Sequence, residues 1–375
     1  MIKLHVVQAE YGDCLILESV AGKNSTSILI DGGPYQTYQK YLKPTLEKLL
    51  PKSKLDLVVL SHIDNDHIIG LIDLLEDIKN RREKGEKKLI KICKLWHNSF
   101  NDLLQMRQNP VKLIKNSLQT VHVGSSEEQK KVDSSFNSVI MKGFRQGMDL
   151  TSLAKSLEIS INPEFDKLVS IDDVPNCIKL NDIAFRILGP TRKNLERLRR
   201  DWKKWLDKKK SPQLMEFELM QIMDKSIPNL SSIMLLVESK TSKILLTGDG
   251  SGDDIVNILK KNDMLDKQGR FYVDVLKVPH HGSDRNVSPE FFNTVSANYY
   301  IISANGRDDN PSLNTLKWIL ESGDKKKNLK KIIFTNNTPN IEKIRKEYRE
   351  QEYNYQCVFL EDKSDFFTLN LSSLH

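Results

Sequence analysis

At 375 residues and 39% hydrophobic content the chain is long enough to bury a full core, and with no apolar run near 18 residues it is neither a membrane span nor a disordered polar tract. The 57 Lys+Arg against 50 Asp+Glu leave a net charge of +7 and a pI near 8.9, a lean toward an anionic partner that the 29% charged content dilutes. Four scattered cysteines, Cys14, Cys93, Cys177 and Cys357, contain no C-x-x-C pair, which argues against a disulfide framework or zinc ribbon and for a reducing compartment.

Met1 runs directly into Ile2-Lys3-Leu4-His5-Val6-Val7, a strand pattern without the basic start and long apolar stretch of a signal peptide, so a cytoplasmic location is the expectation. Two more β-patterned runs, Cys14 to Glu18 and Ser27 to Ile30, complete a meander broken at Glu10-Tyr11-Gly12-Asp13 and ended by Asp31-Gly32-Gly33-Pro34. Asp31 either accepts hydrogen bonds from metal-ligating imidazoles or caps the turn before Gly-Gly. Leu57 to Leu60 is a buried-strand run, and Ser61-His62-Ile63-Asp64-Asn65-Asp66-His67 follows it with two His and two Asp in six residues. Apolar surroundings make unpaired carboxylates and imidazoles costly, and a metal accounts for all four. His62 and Asp64, two apart, point one way from an extended segment, while Asp66 and His67 turn toward a second position about 3.5–4 Å away, the spacing of two-metal sites. The pattern H-x-D-x-D-H resembles the metallo-β-lactamase signature H-x-H-x-D-H, with Asp64 in place of the second His.

Leu71 to Lys79 has helical spacing and leads into a charged run, Asn80 to Lys88, read as a solvated loop. Alternation resumes in Leu89 to Trp96 and ends on His97; a His at that strand tip is where the resemblance places a third ligand, so His97 joins His62 and Asp64 around the first metal. From about 99 to 175 strand character fades into helical spacing, as in Phe136 to Phe144 and Leu150 to Leu157, a mostly helical insertion in which His122 is structural. Strands return as a hairpin, Cys177 to Leu188, turning at Asn181-Asp182. The stretch Arg192 to Lys210 mixes cations with Trp202 and Trp205, three apart. As a helix it could hold phosphates and stack on a base, although docking of the tryptophans on the core is the preferred reading.

Ser232 to Glu238 and Lys243 to Gly250 form a second hairpin ending in Thr247-Gly248-Asp249, where a strand-tip carboxylate can bridge two metals; the resemblance gives Asp249 that role. Val273 to Pro279 then leads into His280-His281-Gly282-Ser283. With Gln8 to Leu17 and Ile28 to Gly33, the pairing of T-G-D and K-V-P-H-H-G-S resembles the metallo-β-lactamase branch of DNA-uptake (competence) proteins. Late strands are expected at Tyr300 to Gly306, Lys331 to Thr335 and Asp365 to Leu371, and the lysines Lys325-Lys326-Lys327, Lys330 and Lys331 cap a helix end or loop.

The alternation predicts an α/β (α+β) architecture, an αββα sandwich over 1–375 as one domain, with the helical insertion and with the metals at one rim; the resemblance implies that it is metallo-β-lactamase-like. The chemistry implied is metal-assisted hydrolysis by a hydroxide shared between two divalent ions, with Asp66 orienting it and His280 or His281 as general acid. Asp64 shifts preference from zinc toward manganese or magnesium, with zinc still allowed. The resemblance would also supply a late His to the second metal; Asn310 stands there instead, so either Asn310 or His281 completes the site. Basic charge and the resemblance favour nucleic acid as substrate, hence a phosphodiesterase or nuclease. A hydrolase of a small ester, lactone or phosphodiester, and a non-catalytic metal-binding module, are the alternatives. No membrane partner is expected, and the oligomeric state is left open.

Overall fold

The computed structural model describes residues 1–22, 24–50, 54–99, 102–103, 139–174, 177–207, 228–323, 329–361 and 364–371, the side chains at 24, 139–145, 202, 205–207 and 228 excepted. Most of the expected insertion, including His122, and the lysines at 325–327 lie outside the described residues, as do the side chains of Trp202 and Trp205.

The first sheet is built from β1 (Ile2–Val7), β2 (Leu15–Ala21), β3 (Asn24–Ile30), β5 (Leu57–Val59), β7 (Lys94–Trp96), β8 (Ser160–Ile161) and β17 (Phe366–Asn370), in the order β17-β1-β2-β3-β5-β7-β8. Short strands β4 (Lys54–Leu55) and β6 (Lys91–Ile92) pair separately. The second sheet runs β16-β15-β14-β13-β12-β11-β10-β9, from β9 (Ile178–Leu180), β10 (Ile183–Gly189), β11 (Met234–Glu238), β12 (Lys243–Leu246), β13 (Phe271–Lys277), β14 (Val295–Ile302), β15 (Lys330–Phe334) and β16 (Tyr355–Phe359). Alternate side chains of the two sheets, among them Leu4, Leu17 and Ile30 against Phe185, Leu235 and Val275, interleave in one buried layer. That layer is the centre of an αββα sandwich.

Helices α1 (Lys43–Leu49), α2 (Asn65–Glu83) and α3 (Val139–Ser156) cover the outer face of the first sheet. The second is covered by α5 (Gly252–Lys261), α6 (Pro289–Thr294), α7 (Leu313–Glu321) and α8 (Pro339–Glu347), while α4 (Arg192–Asp207) follows β10 and α9 (Glu350–Tyr353) precedes β16.

Three elements differ from expectation. Helix α2 starts inside the His/Asp motif at Asn65 and continues to Glu83; its charged last turns stay helical with support from i,i+4 pairs Asp77–Arg81 at 2.9 Å and Lys79–Glu83 at 3.8 Å. The segment 99–175 returns a strand, β8, too short at two residues to show alternation but paired to β7 through Leu95 and Ile161. Strand β16 closes the edge of the second sheet. No helix among the described residues is long and apolar enough to cross a membrane.

Candidate metal centre

Parallel pairing aligns strand ends at one rim. In the first sheet Ile30 pairs with Val59 and Val59 with Trp96, so Asp31, Ser61-His62 and His97 emerge side by side. In the second, Leu245 pairs with Leu276 and Leu276 with Tyr300, which sets Asp249, His280-His281 and Ser303 beyond neighbouring strand tips. Carboxyl ends of parallel strands are the usual place for a site in such sheets. The backbone then bends sharply: His280 and His281 take positive φ of 47° and 55° before Gly282 at 84°, turning both imidazoles toward Asp249. Across the rim, Asp64 stands in extended conformation before α2 and Asp66 and His67 fall in its first turn. Glycines allow the approach: a Cβ on Gly12 would lie 2.0 Å from the Asp66 carbonyl oxygen, and one on Gly70 1.9 Å from that of Gly32.

Asp249, 2% exposed, sits in the middle. Its Oδ2 is 3.5 Å from His62 Nε2 and 3.5 Å from His280 Nε2, and His62 Nε2 is 3.4 Å from Asp64 Oδ2. Its Oδ1 is 3.3 Å from His67 Nε2 and 3.7 Å from His281 Nε2, and His281 Nε2 is 3.1 Å from Asp66 Oδ2. Two sets of ligand atoms thus face the two oxygens of one carboxylate.

Every one of the four imidazoles is oriented from behind through Nδ1. His67 donates to Asp31 Oδ2 at 2.9 Å, His281 to the Ser303 carbonyl at 3.0 Å, His280 to Asn286 Oδ1 at 2.7 Å and His62 to Ser61 Oγ at 3.1 Å. Ser61 in turn donates to Asp31 at 2.7 Å, and Asn286 to the Asp249 carbonyl at 2.8 Å. This fixes the tautomer with the Nε2 lone pair facing inward, as metal-ligating histidines require. His62 Nε2, His67 Nε2, His281 Nε2 and Asp249 Oδ1 are buried without any hydrogen-bond partner. Buried polar atoms are nearly always paired, so four orphans converging on one point fit a cation.

The electrostatics agree. Burial alone would raise the Asp249 carboxyl, but His280, His67, His281 and His62 hold it well below the carboxylate range. Burial likewise opposes Asp66, which His67 and His281 hold near 2. Burial would depress His281, yet Asp249 and Asp13 push it up to about 10; His67 is also raised, by Asp249 and Asp31 against burial. Protons on these imidazoles balance the carboxylates, and metal and proton compete for the same nitrogens.

The structure therefore brings together His62, Asp64, Asp66, His67, Asp249, His280 and His281. His97 is buried with both ring nitrogens unpartnered and its pKa lowered to about 4 by burial, and among the described residues it lies within 4 Å of no site carboxylate. Asn310, 9% exposed, is held through its backbone, which bonds Gly306 and Arg307. Asp13 went unrecognised in the sequence because E-Y-G-D reads as a turn. It is buried, pairs with buried Lys277 at 2.7 Å and stands 3.4 Å from His281 Nδ1. Asn286 and Ser303 carry no sequence signal at all.

The family model described as Metallo-beta-lactamase superfamily matches residues 9–141. No curated protein sequence matches. Among solved structures, the chain is similar to the metallo-beta-lactamase fold protein YhfI from Bacillus subtilis, at 11% identity and TM-score 0.41 over 98% of both chains. It is similar also to a diphosphatase of the PhnP family, at 11% identity and TM-score 0.38 over 99% of this chain and 98% of that one. A third is a long form RNase Z from yeast, at 12% identity and TM-score 0.33 over 81% of this chain and 36% of that one. These comparisons lend no support to the narrower likeness to DNA-uptake proteins. The family match covers the His/Asp motif, and two facing sheets with helices outside are consistent with a metallo-β-lactamase-like αββα sandwich.

Proposed function

We propose that the protein is a metal-dependent hydrolase of phosphodiesters, with nucleic acid as the substrate class. The observation that carries the reading is Asp249, whose two oxygens face two sets of inward-pointing, unpartnered donor atoms. His62, Asp64, His280 and Asp249 Oδ2 would hold one cation; Asp66, His67, His281 and Asp249 Oδ1 would hold the other. Two imidazoles and two carboxylates in each set suit zinc or manganese better than magnesium. Divalent ions there would lower the pKa of water toward neutrality and offset charge at a phosphorus or carbonyl centre.

The chain's own residues supply orientation and exclusion of water. Asp31, Ser61, Asn286 and the Ser303 carbonyl hold the four Nδ1 protons, so the rings cannot flip. Asp66, 22% exposed, and Asp64, 29% exposed, are the carboxylates open to solvent, and His280, 26% exposed, is the accessible imidazole. In this reading His280 and His281 are ligands rather than general acids, and His281 takes the place considered for Asn310. The basic net charge of +7 supports an anionic substrate.

Asp249→Asn is expected to abolish turnover of bis(p-nitrophenyl) phosphate and to reduce bound metal by elemental analysis, with the circular dichroism spectrum unchanged. Asn310→Ala should leave both intact. Full activity in Asp249→Asn, or metal loss in Asn310→Ala, overturns the assignment.

A further inference from the structure

Helix α4 carries a cationic stripe that the metal centre does not use. Leu195 and Leu198 are buried, while Lys193, Arg197, Arg200 and Lys204 are all exposed. Spacings of four, three and four residues put these cations in one row on the face opposite the leucines. Over eleven residues at 1.5 Å each the row runs about 16 Å. Among the described residues none of the four has an ion-pair partner, in contrast to Arg192, which is paired with Asp173. Arg199, one step off the row, is half-buried.

The helix is anchored to the metal rim at three points. It leaves β10 at Gly189, which pairs with Met234 beside the strand tips. Asn194 Nδ2 donates to Asp254 Oδ2 at 2.8 Å, in the first turn of α5, the helix that begins just after Asp249. The turn Pro228–Ser231 packs on α4 and brings Asn229 Nδ2 to 3.4 Å from His280 Nδ1.

We propose that this face of α4 is a docking track for the phosphodiester backbone of a nucleic-acid strand, leading the scissile bond to the metal centre; the inference rests on the phosphodiesterase reading above. A row of exposed cations without apolar residues matches a polymer of evenly spaced single negative charges. A protein partner would instead call for an apolar centre to the contact. Base-reading contacts are not part of the track, so binding is independent of sequence and governed by salt.

The test uses the full-length protein and labelled single strands of DNA and of RNA with phosphorothioate backbones, which resist cleavage, followed by fluorescence anisotropy over a salt series. Charge reversal of Lys193, Arg197, Arg200 and Lys204 to Glu is expected to weaken binding at least about tenfold and to flatten the log–log salt slope by about 3, from 0.7–0.9 per phosphate released. The milder substitution of all four by Gln should move both quantities in the same direction, which separates the effect from misfolding. A preference between the two strands identifies the sugar. Unchanged affinity and slope in both variants overturns the track. So does binding of anionic phospholipid vesicles or acidic protein with none to either strand. Turnover of bis(p-nitrophenyl) phosphate by the unmodified protein reports the metal centre separately: its absence alongside variant-sensitive strand binding would reject the phosphodiesterase reading, whereas its presence without strand binding would reject only the track.

Discussion

Asp77 shows how a single carboxylate on the outer helical layer is held. Burial works against its charge, but Tyr38 donates to it at 2.6 Å, Lys43 approaches to 3.0 Å and Arg81 to 2.9 Å, and together they lower its pKa. A carboxyl with a lower pKa in the fold than in the unfolded chain contributes stability that is present above the unfolded value, near 3.9, and lost as pH falls through the folded one. Asp77→Asn should therefore destabilise the protein by about 1 kcal/mol at neutral pH, and the difference from the unmodified protein should vanish in urea melts carried out below the carboxylate range. A gap that persists in acid would mean that packing rather than charge is responsible. At this same scale the candidate metal ligands divide by range. His62, Asp64, Asp66 and His67 were legible because six consecutive residues carry the whole pattern. Asp13 was not, since its partners Lys277 and His281 are more than 260 positions away in the chain.

At the scale of elements, α2 is seated by backbone contacts at its first turns as well as by its buried Ile68, Leu71, Ile72, Leu74 and Leu75. Gly32 N–H donates to the His67 carbonyl at 2.8 Å and Gly70 N–H to the Gly33 carbonyl at 3.0 Å, so the motif helix rests directly on the loop after β3. Gly70→Ala would push a methyl into the Gly32 carbonyl oxygen and should cost about 1–3 kcal/mol or more, read as a lower urea midpoint together with weaker metal retention, because His67 and Asp66 ride on that helix. A neutral outcome would show that the helix can slide without disturbing the site. Lys330 acts at a helix end, as the lysine pattern suggested: its Nζ donates to the carbonyls of Ile319 and Ser322, each at 2.6 Å, closing α7. Strands β9 to β15 were readable from alternation and turn residues. Strand β8 was too short to be read, and the last turns of α2 were hidden by a charge run whose helical pairing only appears once Asp77 and Arg81 share a face.

For the whole molecule, the candidate metal centre is a joint between two sheets. His62, Asp64, Asp66 and His67 come from the first and Asp249, His280 and His281 from the second. Ions that bind only this arrangement stabilise it by mass action, about 2.7 kcal/mol for each site at a hundred times its dissociation constant. Chelation with EDTA should lower the thermal midpoint, and zinc or manganese should restore it; a midpoint indifferent to metal would separate folding from the centre. The sequence by itself determined the strand and helix periods, the sandwich they imply and the local His/Asp motif, because each depends on residues a few positions apart. Only the tertiary structure decided how His280 and His281 are turned toward Asp249, that His97 makes no close approach to a site carboxylate among the described residues, and that Asp13, Asn286 and Ser303 support the cluster. Those relations depend on parallel register between distant strands and on left-handed backbone at His280 and His281, which no periodicity encodes.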